Sequence, residues 1–403
     1  MNLEAIRKDF PVLGKKINGK LPVYFDNACM SLRPKQVVEA MQKYYEEYPA
    51  CGGRSGHKFA KIVTDKTAEA RETIAKFINA RKKEEIVFTR NATEGINLVA
   101  HSLGLKEGDI VLTTDREHNS NLVPWQILVG KTGIIHHIAH SNIDNTFDLE
   151  NFKYELAKGA KLVAMVHTSN LDGVTIPVKE IIKLAHKAGA KVLLDCAQSA
   201  AHFEINVKDL GVDFLVLSGH KILGPSGIGI LYAKYEHLEN MEPFMVGGST
   251  VQFTTYTDFK LLPPPEKFEA GLQDYAGIIG FAEAVRYLSD IGFKDIQKHD
   301  LEMNRFITDS IKSIPKLHII GPEDPAQRGG IVSFYVDGLD AHKIAMMLDA
   351  SDNIMVRSGQ HCVHSWFNAH GITASVRASF YLYNTMEEAE IFVVALKKTI
   401  SIL

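Results

Sequence analysis

The stretch Phe214-Leu215-Val216-Leu217-Ser218-Gly219-His220-Lys221 decides the fold. A wholly apolar run ends in a small-residue turn and a lysine, just ahead of the Gly-rich Gly224-Pro225-Ser226-Gly227-Ile228-Gly229. Such a run reads as a strand buried on both faces, as in a parallel sheet covered by helices. Open sheets of that kind bind ligands beyond the carboxyl ends of their strands, which is where Lys221 falls. A second run, Val192-Leu193-Leu194, ends in the same way in Asp195, with Gln198 three residues on.

Outward from these two strands, short β-rich runs alternate with helical patterns between about residues 84 and 234. They are Glu85-Ile86-Val87-Phe88-Thr89, Asp109-Ile110-Val111-Leu112-Thr113 and Lys161-Leu162-Val163-Ala164-Met165-Val166. The alternation predicts an α/β fold with a large, mainly parallel sheet. Val178 to Ala188 carries Ile181, Ile182, Leu184 and Ala185 at helical spacing and stops at Gly189. Leu261-Leu262-Pro263-Pro264-Pro265 reads as a loop, after which a helical pattern runs from Ala276 to Asp290. The remainder places strands at Ile331–Val336 and Ser375–Phe380 and a closing helix over Met386–Leu396, which predicts a smaller α+β domain. The expected division is 16–291 for the large domain, with 1–15 and 292–403 forming the small one.

The composition is that of an ordinary globular chain: 403 residues, 45% hydrophobic and 23% charged, with a formal net charge of -3. That charge provides no general field for nucleic acid or anionic lipid. The first ten residues read as an amphipathic helix without a secretory pattern, and no apolar run approaches the roughly 18 residues of a membrane span. The expectation is a cytoplasmic protein with no nucleic-acid or membrane partner. Cys29, Cys51, Cys196 and Cys362 have neither C-x-x-C nor zinc spacing, so neither a disulfide framework nor a metal is expected.

Several segments are suited to chemistry. Arg90-Asn91-Ala92-Thr93-Glu94-Gly95-Ile96-Asn97 follows a strand and opens a helix. It serves either as a plain N-cap or as a phosphate cradle, since helix N-termini present N–H groups and a favourable dipole. His118, just after the Ile110 strand, is either a loop histidine or a flat ring able to cover an aromatic cofactor. Cys362, in Arg357-Ser358-Gly359-Gln360-His361-Cys362-Val363-His364, is either a small buried residue or a nucleophile on a loop free to move toward a substrate. Arg377 makes either an ion pair or a bidentate grip on a carboxylate. Together, Lys221 and Asp195 suit pyridoxal phosphate (PLP), bound as a Schiff base on lysine with its ring nitrogen paired to a carboxylate.

With these residues assembled, the chain resembles the PLP-dependent class V aminotransferase superfamily, most closely its cysteine desulfurase/selenocysteine lyase branch of the SufS type. The resemblance runs nearly end to end. It rests on Tyr24-Phe25-Asp26-Asn27-Ala28, Arg54-Ser55-Gly56-His57, Ala92 to Asn97, Glu117-His118, Ser169-Asn170, Asp195-Cys196-Ala197-Gln198, Ser218 to Lys221, Phe268-Glu269-Ala270-Gly271, the Cys362 loop and Arg377-Ala378-Ser379. It implies the aspartate aminotransferase-like fold, PLP as cofactor, and a homodimer with Arg54, His57 and Phe268–Gly271 near the partner's site. Lys221 would carry the cofactor, Asp195 would pair with its nitrogen, Gln198 would contact its ring oxygen and His118 would stack on it. Thr93, Ser218 and His220 would hold the phosphate. Asn170 and Arg377 would receive the substrate carboxylate, with Arg357 as a further substrate-binding residue.

Cys362 would take sulfur from L-cysteine as a persulfide, release alanine, and pass the sulfur to an acceptor or scaffold protein, as in iron–sulfur cluster assembly. The alternatives are a selenocysteine lyase acting on L-selenocysteine, another class V enzyme such as an aminotransferase or epimerase, and a non-catalytic PLP-binding scaffold. The chain departs from the family pattern at Ala92, Gln360 and Tyr275, and in the segment Val363 to Asn368 that follows the cysteine.

Overall fold

The computed structural model describes residues 1–53 and 55–403. Arg54, expected near a partner's site, lies outside the described residues. The expected large sheet is present with seven strands, in the order Ile86–Thr89, Gly229–Ala233, Phe214–Ser218, Lys191–Asp195, Ala160–Val166, Ile110–Thr114, Ile135–Ala139. Six run in one direction, and only Gly229–Ala233 is antiparallel to its neighbours. Every residue of Phe214–Ser218 is buried, and the strand pairs in parallel with Lys191–Asp195 through Leu193 and Phe214. Its apolar run therefore reflects helices packed on both faces of a central strand.

Two strands of this large sheet escape the sequence reading, as do the shorter strands Leu317–Ile320 and Arg357–Gly359 outside it. Gly229–Ala233 is wholly buried, but it begins inside a Gly-rich segment that reads as a turn. Ile135–Ala139 is an edge strand whose His136 and His137 dilute its apolar pattern. Elsewhere the elements fall close to expectation. The Val178–Lys187 helix buries Val178, Ile181, Ile182 and Ala185. The helix expected from Ala276 spans Tyr275–Ile291, and the closing helix extends to Ile402 behind a Thr385/Glu388 capping box. The N-terminal helix is shorter than expected, Leu3–Arg7. A hairpin of Val251–Thr254 and Phe259–Leu261 precedes the prolines.

A second, antiparallel sheet has the order Leu317–Ile320, Ile331–Val336, Ser375–Ser379, Arg357–Gly359. It holds a separate apolar core that includes Phe334, Ile344, Val376 and Phe392. We propose that residues 16–291 form one domain and residues 1–15 with 292–403 the other. The first segment touches both bodies: Ile6, Phe10 and Leu13 pack into the larger core, while Arg7 pairs with Glu388 at 2.8 Å and the Met1 ammonium with Asp295 at 2.9 Å. No helix among the described residues is long and apolar enough to cross a membrane.

Two glycines set how closely the Ala92–Ser102 helix lies on the sheet. A Cβ on Gly95 would meet Val216 Cγ1 at 2.7 Å. One on Gly229 would meet Leu217 O at 2.6 Å and the Asn91 Cα at 2.8 Å. Backbone on both sides leaves little room to relax, so Gly229→Ala is expected to cost about 1–3 kcal/mol, read as a lowered denaturant midpoint with unchanged slope.

Candidate active site

The carboxyl ends of the central strands open into a cavity of about 230 Å³. Lys221 enters it from a 3-10 turn, Gly219–Lys221, directly after the Phe214–Ser218 strand. That turn is packed against its own chain. Gly224 N donates to Gly219 O at 2.8 Å, and Ser31 N donates to His220 O at 3.0 Å. Ser31 Oγ accepts from Leu223 N at 2.8 Å, a residue held at φ 65°. Asp195 ends the adjacent strand, is 4% exposed, and accepts from Ala197 N at 2.9 Å. Gln198 Nε2 donates to Ala28 O at 2.7 Å.

Burial and charge act against each other here. Desolvation raises the Asp195 carboxyl above its usual range while Lys221 draws it back down. Desolvation likewise lowers the Lys221 amine, opposed by Asp195. The result is a lysine more available as a neutral nucleophile than a surface one, beside a carboxylate able to hold a protonated ring nitrogen.

The N-cap reading is met by Asn91, whose Oδ1 accepts from Glu94 N at 3.0 Å. The Ala92–Ser102 helix begins at the cavity, with Ala92 N donating to Ser218 Oγ at 2.9 Å and the Thr93 and Ser120 hydroxyls 2.7 Å apart. His220 lines the same wall. Ser120 was not singled out in the sequence, where it reads only as a polar residue in a loop. His118 Nδ1 accepts from Ser120 N at 3.1 Å. Burial first, then the charges of Lys221, Arg377 and His364, push His118 down to about 3, so its ring is neutral. The neighbouring Glu117 anchors this loop: it accepts from Thr114 Oγ1 at 2.5 Å, Asn121 Nδ2 at 2.7 Å and Val166 N at 3.0 Å.

The second sheet supplies the remaining wall. Arg377, 2% exposed, donates through Nη1 to Asn170 O at 2.9 Å and lies 3.5 Å from Asp26 through Nη2. Its Nε is buried without a partner, as is Asn170 Oδ1, while Asn170 Nδ2 donates to His361 O at 2.7 Å. Unpaired buried polar atoms at a cavity wall are costly unless a ligand meets them. Arg357, exposed along much of its length, donates through Nη1 to Cys29 Sγ at 3.2 Å.

Cys362 lines the same cavity as Lys221. Its loop is less free than its sequence suggests. His361 and Cys362 sit at φ 49° and 60°, a left-handed pair that costs non-glycine residues about 1–2 kcal/mol each. The strain is held by Asn119 N to Cys362 O at 2.7 Å, Asn170 to His361 O, and His361 Nε2 to Ser375 Oγ at 2.8 Å. Val363, Trp366 and Phe367 bury the following turn with Leu171 and Ile320. Cys196, beneath the sheet edge, is fully buried and its thiol is pushed up by desolvation, which makes it a poor nucleophile. Among the described residues no cluster of three or more His, Cys, Asp or Glu is arranged to hold a metal.

All eleven residues expected at a site thus meet around one cavity. Cys29, His361 and Ser120 join them, and only the fold reveals these three. A lysine and a buried carboxylate at the edge of a mainly parallel sheet, below a helix N-terminus, define an enzyme of the PLP-dependent transferase kind. The chain belongs to the aminotransferase class-V family, whose profile matches residues 23–392. It is 44% identical to a probable cysteine desulfurase of Synechocystis, over 98% of this chain and 95% of that one. Among solved structures it resembles an apo cysteine desulfurase from Thermococcus onnurineus, with TM-score 0.94 and 41% identity over 99% of this chain and 98% of that one. It also resembles an S-sulfonic acid form of a cysteine desulfurase from Escherichia coli, with TM-score 0.92 and 31% identity over 100% and 99%.

The histidines give the site a pH signature. His118 is pushed down to about 3, and His167 and His220 to about 4, in each case chiefly by burial. These groups are neutral when folded and take up protons on unfolding below their ordinary 6.5. Their contribution is therefore complete above pH 6.5 and is lost as the pH falls toward 4. Each adds up to about 1.4 kcal/mol per pH unit to the slope of stability. His118→Gln is expected to flatten that slope between pH 6 and 5, measured by urea unfolding.

Proposed function

We propose that the chain is a PLP-dependent cysteine desulfurase that converts L-cysteine to L-alanine and keeps the sulfur as a persulfide on Cys362. The observation that carries this reading is Cys362 lining the cavity into which Lys221 and Asp195 also open. The cavity fits the cofactor: a lysine of lowered basicity, a buried carboxylate, a helix N-terminus with hydroxyls, and unpaired buried atoms on Asn170 and Arg377. PLP bound there supplies an electron sink for charge developing next to the substrate amine.

The protein's own groups then divide the work. Lys221 would hold the cofactor and move protons at Nζ, Asp195 would keep a positive charge on the ring nitrogen, Gln198 would contact the ring oxygen, and His118 would cover the ring. Thr93, Ser218 and His220 would hold the phosphate. Arg377, with Asn170 and Arg357, orients the substrate carboxylate so that its sulfur meets Cys362. The Cys362 thiolate attacks that sulfur: an S–S bond forms, the substrate C–S bond breaks, and its electron pair stays on carbon, where a proton completes alanine. A pinned cysteine loop keeps the two sulfurs aligned rather than bringing them together by a large motion.

We propose further that the sulfur leaves to an acceptor or scaffold protein for iron–sulfur cluster assembly, in the cytoplasm. We also propose that two chains pair through the hairpin, which exposes Phe253, Tyr256 and Phe259 beside a cavity of about 560 Å³ lined by Gly52, Glu269 and Tyr275. Phe253 and Phe259 face opposite sides of the hairpin, so a second chain covering it would bury large apolar side chains from both. The double variant Phe253→Ser/Phe259→Ser is expected to shift the mass measured by light scattering from two chains toward one.

Cys362→Ala is expected to reduce alanine formation from L-cysteine on the order of 1,000-fold, with the PLP absorbance unchanged. Undiminished turnover of L-cysteine would refute the persulfide route. Turnover surviving for L-selenocysteine alone would identify a selenocysteine lyase activity, since selenium leaves more easily.

A further inference from the structure

A second thiol stands in the same cavity. Cys29 follows Asn27 and Ala28, lines the wall together with Cys362, and is in the free form. Arg357 Nη1 donates to its sulfur at 3.2 Å. Cys29 and Cys362 are both half-buried, and the Arg357 side chain that meets Cys29 is 44% exposed, against 3% for Arg377. The other two cysteines lack this setting: Cys196 is wholly buried, and Cys51 is exposed and lies outside the cavity.

We propose that Cys29 is a second sulfur-carrying residue, which takes the sulfane sulfur from Cys362 and holds it against Arg357. The proposal rests on the reading that Cys362 carries a persulfide. In the transfer, the Cys29 thiolate attacks the terminal sulfur of that persulfide. A bond forms between Cys29 Sγ and the sulfane sulfur, the bond to Cys362 Sγ breaks, and the electron pair leaves on Cys362 as thiolate. The proton given up by the Cys29 thiol ends on Cys362 or in solvent. One S–S bond replaces another, so neither oxidant nor reductant is consumed. The guanidinium of Arg357, already directed at Cys29 Sγ, faces the negative end of the new persulfide. Cys362 is thereby restored for a second substrate while the first sulfur waits beside Arg357.

The test is a burst experiment on PLP-loaded protein, with a few equivalents of L-cysteine and no reductant or acceptor. It is followed by alkylation and peptide mapping by mass spectrometry. The wild-type chain is expected to release about two alanines per site, with sulfane sulfur on the peptides of both Cys29 and Cys362, and Cys29→Ser about one, with sulfur on Cys362 alone. Sulfane sulfur on Cys362 alone in the wild-type chain overturns the relay, whatever the variant does. A burst of about two in Cys29→Ser also overturns it, since the second sulfur is then stacked on Cys362. Cys362→Ala separates the two levels: alanine formed without Cys362 breaks the persulfide reading itself, whereas a Cys362-dependent burst of one leaves that reading intact and removes only the relay.

Discussion

The site depends on one strip of backbone, Phe25 to Ser31, hydrogen-bonded to both halves of the molecule. Toward the small sheet, Ser379 N donates to Phe25 O at 2.7 Å, Asn27 Nδ2 donates to Ser379 O at 2.8 Å, and Ala28 N donates to Ser379 Oγ at 2.9 Å. Toward the large sheet, Ala28 O accepts from Gln198, and Ser31 pairs with His220 and Leu223. The strand bearing Arg377 is therefore held in fixed relation to the turn bearing Lys221. Asn27 is further secured by the Tyr383 hydroxyl. Buried polar groups that are satisfied in this way fix one geometry, because any slip leaves several of them unpaired at once.

Within that frame the charges are costly individually and tolerable together. Lys221, Asp195, Arg377 and Asp26 are each disfavoured by desolvation, and each is partly offset by an opposite neighbour. Removing one partner leaves the other uncompensated, which is usually more damaging than never burying the pair. The histidines answer the same dehydration differently, by giving up their proton. This leaves His118 an uncharged ring suited to lie over a cofactor, while the positive charge of the site is concentrated on Lys221 and the arginines.

Cys362 shows strain being used. Its left-handed backbone persists because the Asn119 backbone N–H and the Asn170 side chain, both on loops of the large sheet, grip the carbonyls of the cysteine loop while the Val363 to Phe367 turn is buried. Strain of this kind clusters where position matters more than local stability. The loop is thus part of the wall of the site. Its departures from the family's sequence after Cys362 are absorbed into packing, with Trp366 bonding Asn145 at 3.0 Å.

Much of this was legible in the linear chain. Runs such as Phe214–Leu217 have one stable solution, a strand buried on both faces, and the residue types at their ends identify a lysine and carboxylate suited to one cofactor. Local pattern was least informative where burial came from neighbours far away: Gly229–Ala233 reads as the end of a turn until two strands flank it, and Ile135–Ala139 until an edge needs filling. The sequence by itself determined the fold class and the suitability of Lys221 and Asp195 for the cofactor, because those depend on side-chain type and short-range periodicity, while the roles expected of the other residues came from a resemblance to a known family. Only the tertiary structure decided that the Cys362 loop is pinned, that Arg357 meets Cys29, and that the sequence-distant Cys29 and Cys362 face one cavity. Those facts arise from hydrogen bonds between segments distant in the chain, such as Asn170 with His361, Ala28 with Ser379 and Arg357 with Cys29, which no local pattern encodes.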